Sequence, residues 1–432
     1  MKGISALSLT GRHMLKSKAR VAIAPMGGKP GAEPREAEAA ALAAQSAFFA
    51  VLAPVIVRSP AYHPFAGAIA QDTAAAVWRW LARDVAPAEA RLLGAAVEAG
   101  TPPAEAFETV AEALLARIRA VFAAEEEDRD LARRNTLQLG GEDTRRRLPY
   151  AVMALRRRAL LDKAVQFGRA LGYIQDEAAL VTALQTVTLK NPVTRALWMQ
   201  AMVGTMVNPN RVMGAAVKLA GPDEAAIAHG GFAPLVEAML AHGQDQLALL
   251  MTQPSAFNDY DLACRAIDRF HRLMRALAYN CEFGRRSAWT GIVADLTARF
   301  SERLERPLRQ ITSDVTQALR HPRDSTDRVD PERVLAGLNG LYLLTTIRRS
   351  RDSLAVNAVL DQVWSETGQT LEVLVTRALD LYRSNPSEPV ARERIDAGIK
   401  MAEIRYNADY ADILRRARDG AERRVQSAPQ AL

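Results

Sequence analysis

"DLACRAIDRFHRLMRALAYNCEFG", residues 261–284, sets Ala263, Ile267, Phe270, Met274, Leu277 and Cys281 apart by alternating steps of four and three. That rhythm puts all six on one seam of an α-helix, because side chains three or four residues apart share a face. Arg265, Arg269, Arg272 and Arg275 fall outside the seam. A second stripe follows the "GRRS" break at 284–287: Trp289, Val293, Leu296, Phe300, Leu304, Leu308, Ile311, Val315 and Leu319. Unbroken, it is a helix of about 50 Å. Pro307 is expected to kink it, since proline lacks the amide donor and crowds the preceding turn. Two such helices joined by so short a break predict an antiparallel hairpin.

The same grammar runs outward in both directions. Thr101, Pro102, Pro103 and Glu105 read as an N-cap, prolines in a first turn and an acid, and Asp330-Pro331-Glu332 repeats the pattern. Gly221-Pro222-Asp223-Glu224 and Ser387-Glu388-Pro389 are weaker versions, and stops fall at Gly100, Gly284 and Asn385-Pro386. Helices are expected near 333–349, 352–366, 369–384 and 388–425, the last with Ile399, Ala402, Tyr406, Tyr410, Ile413 and Ala417 on one side. Only "ARVAIAP" (19–25) and "LYLLTTI" (341–347) compete as strands, and no fixed-period repeat recurs. The fold class is therefore all-α: helical hairpins and bundles with long antiparallel helices behind a disordered basic arm. The expected divisions are the arm at 1–35, helical regions at 36–143 and 144–254, the long hairpin at 255–325 and a C-terminal bundle at 326–432.

Composition agrees with this. At 432 residues the chain exceeds the usual size of a single core, and 49% hydrophobic with 24% charged residues is ordinary for a folded protein. Alanine and leucine dominate the apolar content and favour helices. The alanine and arginine bias suggests a bacterial chain from a GC-rich genome. The net charge of +7 is concentrated: Lys2, Arg12, Lys16, Lys18, Arg20 and Lys29 occur in residues 1–30 without an acid, so the remainder is close to neutral. The run "APMGGKPGAEP" (24–34) has too much glycine and proline to propagate a helix.

The leading residues "ISALSLTG" (4–11) are too weakly apolar for a secretion signal, although a basic, acid-free start also resembles an organelle transit peptide. Ala39–Val57 has nineteen residues without a charge, but alanine dominates it and Pro54 interrupts it, which favours a core helix over a membrane span. Cys264 and Cys281 lie about 25 Å apart along one helix and cannot pair, so a reducing, cytoplasmic setting fits.

Recognised chemistry is sparse. None of His13, His63, His229, His242, His271 and His321 has a metal-ligand spacing, so neither metal nor cofactor is expected. "VAIAPMGGKPG" (21–31) fails as a phosphate loop: Ile23 stands where glycine is needed and Pro30 follows Lys29. "GRRSAW" (284–289) lacks the strand–turn–helix context of a nucleophile elbow. The acids of "EEEDRD" (125–130) read as a solvated face or as partners for arginines.

Those arginines crowd "RRRLPYAVMALRRRALLDK" (145–163), where Asp162 is the one acid. With Pro149 in a first turn, Arg145, Arg146 and Arg147 precede a helix at its positive end, an unfavourable place for cations. Glu142, Asp143, the 125–130 acids or an external anion must offset this. Leu148, Val152, Leu155 and Ala159 share an apolar face that Arg156 and Arg158 flank on opposite sides while Arg157 points away, an amphipathic helix with a basic collar. Arginine outnumbers lysine 48 to eight, which suits bidentate contacts with carboxylates and phosphates.

Arg145, Arg146, Arg147, Arg156, Arg157, Arg158, Lys16, Lys18 and Arg20 are thus the candidate anion- or partner-binding residues. Met199, Met202, Met206 and Met213 are either gap-filling core or an adaptable partner face. The function these readings favour is a non-enzymatic helical scaffold or adaptor. It would bind protein partners and oligomerise, with the arm and the 145–163 collar supplying attraction to an acidic partner or an anionic membrane surface. One alternative is an enzyme with a site assembled in a helical pocket, for which His271, Arg275, Tyr279 and Glu282 are near one another in sequence. The other is a helical nucleic-acid binder, disfavoured by only 6% aromatic residues.

Overall fold

A computed structural model describes residues 32–250, 257–320 and 328–427. Eighteen α-helices occur among the described residues, with two-residue strands the only sheet. The chain is all-α, as its apolar periodicity predicts.

The first half runs α1 (Ala32–Leu52), a 3-10 turn, β1 (Ile56–Val57), a loop, β2 (Ile69–Ala70), α2 (Gln71–Trp80), α3 (Pro87–Glu98), α4 (Pro103–Glu127), α5 (Arg129–Gln138), α6 (Glu142–Arg156) and α7 (Arg158–Ala170). α1 begins inside the stretch expected to be arm, so that boundary moves from residue 35 to Ala32; the rest of the arm lies outside the described residues, as does "ARVAIAP". By length and apolar content α1 could cross a bilayer. It also packs Ala44, Ala47, Phe48 and Leu52 into a core with Val77, Trp80, Leu93, Phe107 and Leu114. The uncharged stretch does not continue as one helix, because the chain turns through Ala53–Val55 into β1.

Next come α8 (Glu177–Gln185), α9 (Pro192–Thr205), α10 (Pro209–Ala220), α11 (Glu224–His229), α12 (Ala233–Leu249), α13 (Phe257–Asn280) and α14 (Ala288–Leu319). Asn191, Asn208 and Asp223 cap α9, α10 and α11 by accepting main-chain amides. α9 joins the two halves of the core: Leu197 and Ala201 enter the first cluster, whereas Met199, Met202 and Val203, with Met206 just past the helix end, enter the second. With Met213 also buried, the methionine stripe is core. The seam of α13 is buried from Ala263 to Leu277, and Phe270 stacks on Phe300 of α14 at 4.1 Å. Pro307 sits inside a continuous α14.

α15 (Pro331–Arg349), α16 (Asn357–Ser384), α17 (Pro389–Arg405) and α18 (Ala408–Ser427) complete the bundle. The expected hairpin of α13 with α14 is corrected: α14 packs chiefly along α15, antiparallel, with Gly340 against Ile311 and Gly337 against Ala318, while α13 packs chiefly against α12, α10 and α15. Asp330 caps α15, while Thr101 does not cap α4, whose N-cap position is Pro102. "LYLLTTI" is helical. Two expected boundaries are corrected. Residues 369–384 belong to one helix with those before them, because Gly368 passes without a break and lets Arg405 and Tyr406 approach. The expected 388–425 helix is two, broken at Tyr406–Asn407, so that α18 folds back and pairs Arg418 with Asp396.

Candidate functional site

The segment Arg58–Ala68, "RSPAYHPFAGA", joins the parallel strands β1 and β2 without regular structure. Pro60 and Pro64 lack amide donors, and Gly67 has φ +78°, so no helix can run through it. A Cβ on Gly67 would overlap the Ala196 carbonyl of α9, so glycine is required by space as well as by angle. Buried backbone groups outside helices need other partners. Here side chains supply them. Asp245 accepts from the Arg58 amide (2.8 Å) and its guanidinium (2.5 Å). Gln244 accepts from the His63 amide (2.7 Å) and donates to its carbonyl (3.2 Å). Glu237 accepts from the Ala66 amide at 2.9 Å. Arg147 of α6 donates to the Phe65 carbonyl at 2.9 Å. Three side chains of α12 and one of α6 thus hold an irregular loop rigidly in place.

Beside this loop lies a cleft of about 620 Å³. One wall is the loop itself with Val57, His63, Phe65 and Ala68; another is Arg146, Arg147 and Tyr150 of α6; its floor includes Gln244. Ala70 and Thr73 place the first turn of α2 at the third side. The imidazole of His63 lies 2.7 Å from Asp295 of α14, which also accepts from Arg299 at 2.8 Å. Arg299 in turn covers the Tyr62 ring at 4.2 Å. The hydrogen bond from Arg299, and after it that from His63, holds the Asp295 carboxyl below the ordinary carboxylate range.

The six arginines of 145–163 fall on two helices and the break between them, and differ in their partners. α6 runs from Glu142 with Pro149 at its centre, so Arg145, Arg146 and Arg147 are within the helix rather than ahead of it. It ends at Arg156, Arg157 breaks the helix, and Arg158 opens α7. Arg145 forks onto the buried carboxylate of Glu125, which also takes Asn135 at 2.7 Å, and lies over the Phe122 ring. Arg158 pairs with Glu108 of α4. Arg146 meets Asp143 at 3.0 Å with both side chains largely in solvent. Arg156 and Arg157 are exposed and, among the described residues, make no ion pair. Lys16, Lys18 and Arg20 lie outside the described residues.

The alternative catalytic set does not converge. Tyr279, Glu282 and Arg275 are exposed, while His271 is bound to Ser353 at 2.9 Å. Burial raises both cysteine thiols, that of Cys281 to about 12, which makes them poor nucleophiles. No cluster of three metal-ligating side chains occurs among the described residues. His63, Thr73, Tyr150, Gln244 and Asp295 were not singled out by sequence pattern. The available signal was the proline- and glycine-punctuated run at 58–68 between apolar stretches. In comparisons with known proteins, no family model, curated protein or solved structure matches this chain.

Proposed function

We propose that this protein is a non-enzymatic helical adaptor whose recognition site is the cleft between the 58–68 loop and α6, and whose recognised group is anionic. The observation that carries this reading is the pair Arg146 and Arg147, which line a cleft of about 620 Å³ with much of their donor capacity uncommitted. An ion pair as exposed as Arg146–Asp143 contributes about 1 kcal/mol or less, so an incoming anion can displace it. Arg147 has one nitrogen on the Phe65 carbonyl and keeps further donors for a ligand. The exposed Arg156 and Arg157, with the basic residues 1–30, add longer-range attraction that salt should weaken.

The test is thermal unfolding in sulfate, phosphate and citrate at constant ionic strength. The adaptor reading expects stabilisation of the wild type that Arg146→Met removes. Equal stabilisation of both proteins would refute it. Binding to anionic vesicles, with and without residues 1–30, tests the contribution of the arm separately; equal retention removes the arm from the account.

A second reading rests on His63 and Asp295. An imidazole bonded to a carboxylate beside a cleft is an arrangement suited to proton transfer. It supports an acid–base enzyme only if a bound molecule presents a titrating group to His63, and His63→Gln would then abolish turnover without affecting anion binding.

A further inference from the structure

We infer that the cleft takes a phosphate monoester on a small amphipathic molecule. This rests on the reading that the cleft binds an anion, and it specifies which anion. Three independent donor sets face the same space. Arg146 and Arg147 are consecutive on α6, so their side chains leave the helix about 100° apart and approach the cleft from different directions. The third set is the start of α2. Its N-cap is Ala70, which has no side chain able to cap, and Thr73 offers a hydroxyl one turn in. The amides of an uncapped first turn and the helix dipole favour an anion there.

A carboxylate has two oxygens, and a single arginine fork satisfies both. Three donor sets in different directions match the three terminal oxygens of a phosphate monoester, which carries close to two negative charges at neutral pH. Two exposed acids are near these donors: Asp143, which lines the cleft and pairs with Arg146, and Asp72 in the first turn of α2. Both repel an anion in proportion to its charge, so the selection for a phosphate rests on the number and directions of the donors.

Much of the remaining lining is apolar, although His63 and Gln244 also reach it. Val57, Pro64, Phe65 and Ala68 line it opposite the arginines, with the Tyr150 ring beside Arg147. Its volume lies in the range of sites that enclose small organic ligands rather than a free ion. An extended acidic peptide would leave this apolar wall unused.

The experiment is calorimetric titration of the full chain with phenyl phosphate, benzoate, inorganic phosphate and a hexaglutamate peptide. Phenyl phosphate should bind at least about tenfold more tightly than benzoate, which has the same ring and a different head group. It should also exceed inorganic phosphate, which lacks the apolar body. Arg146→Met and Thr73→Val should each weaken phenyl phosphate, Arg146→Met by at least about tenfold, while Arg169→Met on the exposed face of α7 should not. Lowering the pH from about 7.5 to 5, which removes the second phosphate charge, should weaken phenyl phosphate more than benzoate.

Benzoate binding as tightly as phenyl phosphate, with both dependent on Arg146, would overturn the phosphate assignment and leave the anion-binding reading intact. Arg146-dependent binding of hexaglutamate in preference to phenyl phosphate would overturn it in favour of an acidic protein segment. Absence of Arg146-dependent binding by all four would overturn both.

Discussion

Arg145 and its two neighbours differ in what surrounds them. Arg145 closes a joint between α4, α5 and α6: its fork meets a carboxylate whose side chain is only 4% exposed, and the same carboxylate holds Asn135. Arg146 and Arg147, one and two residues on, face a cleft, with one held by a solvent-exposed acid and the other by a single carbonyl. At the joint the Arg145 charge is already met by the Glu125 carboxylate, although a smaller cleft of about 370 Å³ lies beside the pair. The cleft joins an apolar wall to arginines whose donors are incompletely satisfied. An arginine cluster therefore reports function only through the partners that its members lack.

The largest expected effect comes from breaking the cleft while sparing the joint. Gly67→Ala sets a methyl against the Ala196 carbonyl at positive φ. It should cost about 2–4 kcal/mol and abolish the response to anions; urea unfolding and anion-dependent thermal shifts measure the two. Glu125→Ala does the reverse. Removing the acceptor of Arg145 and Asn135 should cost about 2–3 kcal/mol, somewhat below a fully buried pair because Arg145 is partly exposed. Anion binding should persist in the folded fraction.

Arg147→Met sharpens the comparison from the cleft side. It strips the Phe65 carbonyl of its donor and should cost about 1–2 kcal/mol together with the loss of binding. Arg146→Met should leave stability within about 0.5 kcal/mol, because its one ion pair is exposed, yet lose the anion. Binding loss without stability loss separates a recognition residue from a structural one.

The smallest effect is on pH dependence. Asp295 titrates below its ordinary value in the folded protein, so it binds fewer protons there than in the unfolded chain. Its contribution is complete above pH about 4 and disappears as pH falls through the lowered folded value. Asp295→Asn should therefore flatten the acid limb of stability below pH about 4, read from urea unfolding across that range.

Helices were legible wherever an apolar stripe met a long run, as in α13 and α14, because burying one face determines both period and register. Boundaries were less so. Gly368 reads as a break but is instead the space into which Arg405 packs, and Tyr406 reads as one more seam residue but marks the turn into α18. Both outcomes depend on residues about forty positions apart. Pro149 suggested a helix start, yet helical residues precede it from Glu142 onward. The stretch 145–163 announced itself by composition, but composition could not divide Arg145 from Arg146, because Glu125, Asp143 and Phe65 reach them from different distances along the chain. The loop at 58–68 was nearly silent, since its partners Glu237, Gln244, Asp245 and Asp295 are more than 170 residues away.

The most direct test is a crystal structure of the full chain grown with phenyl phosphate. The account predicts the phosphate between Arg146, Arg147 and Thr73, the ring against Phe65, and the Arg145–Glu125 joint unchanged. A phosphate seated instead at the exposed Arg156 and Arg157, with the cleft empty, would contradict it.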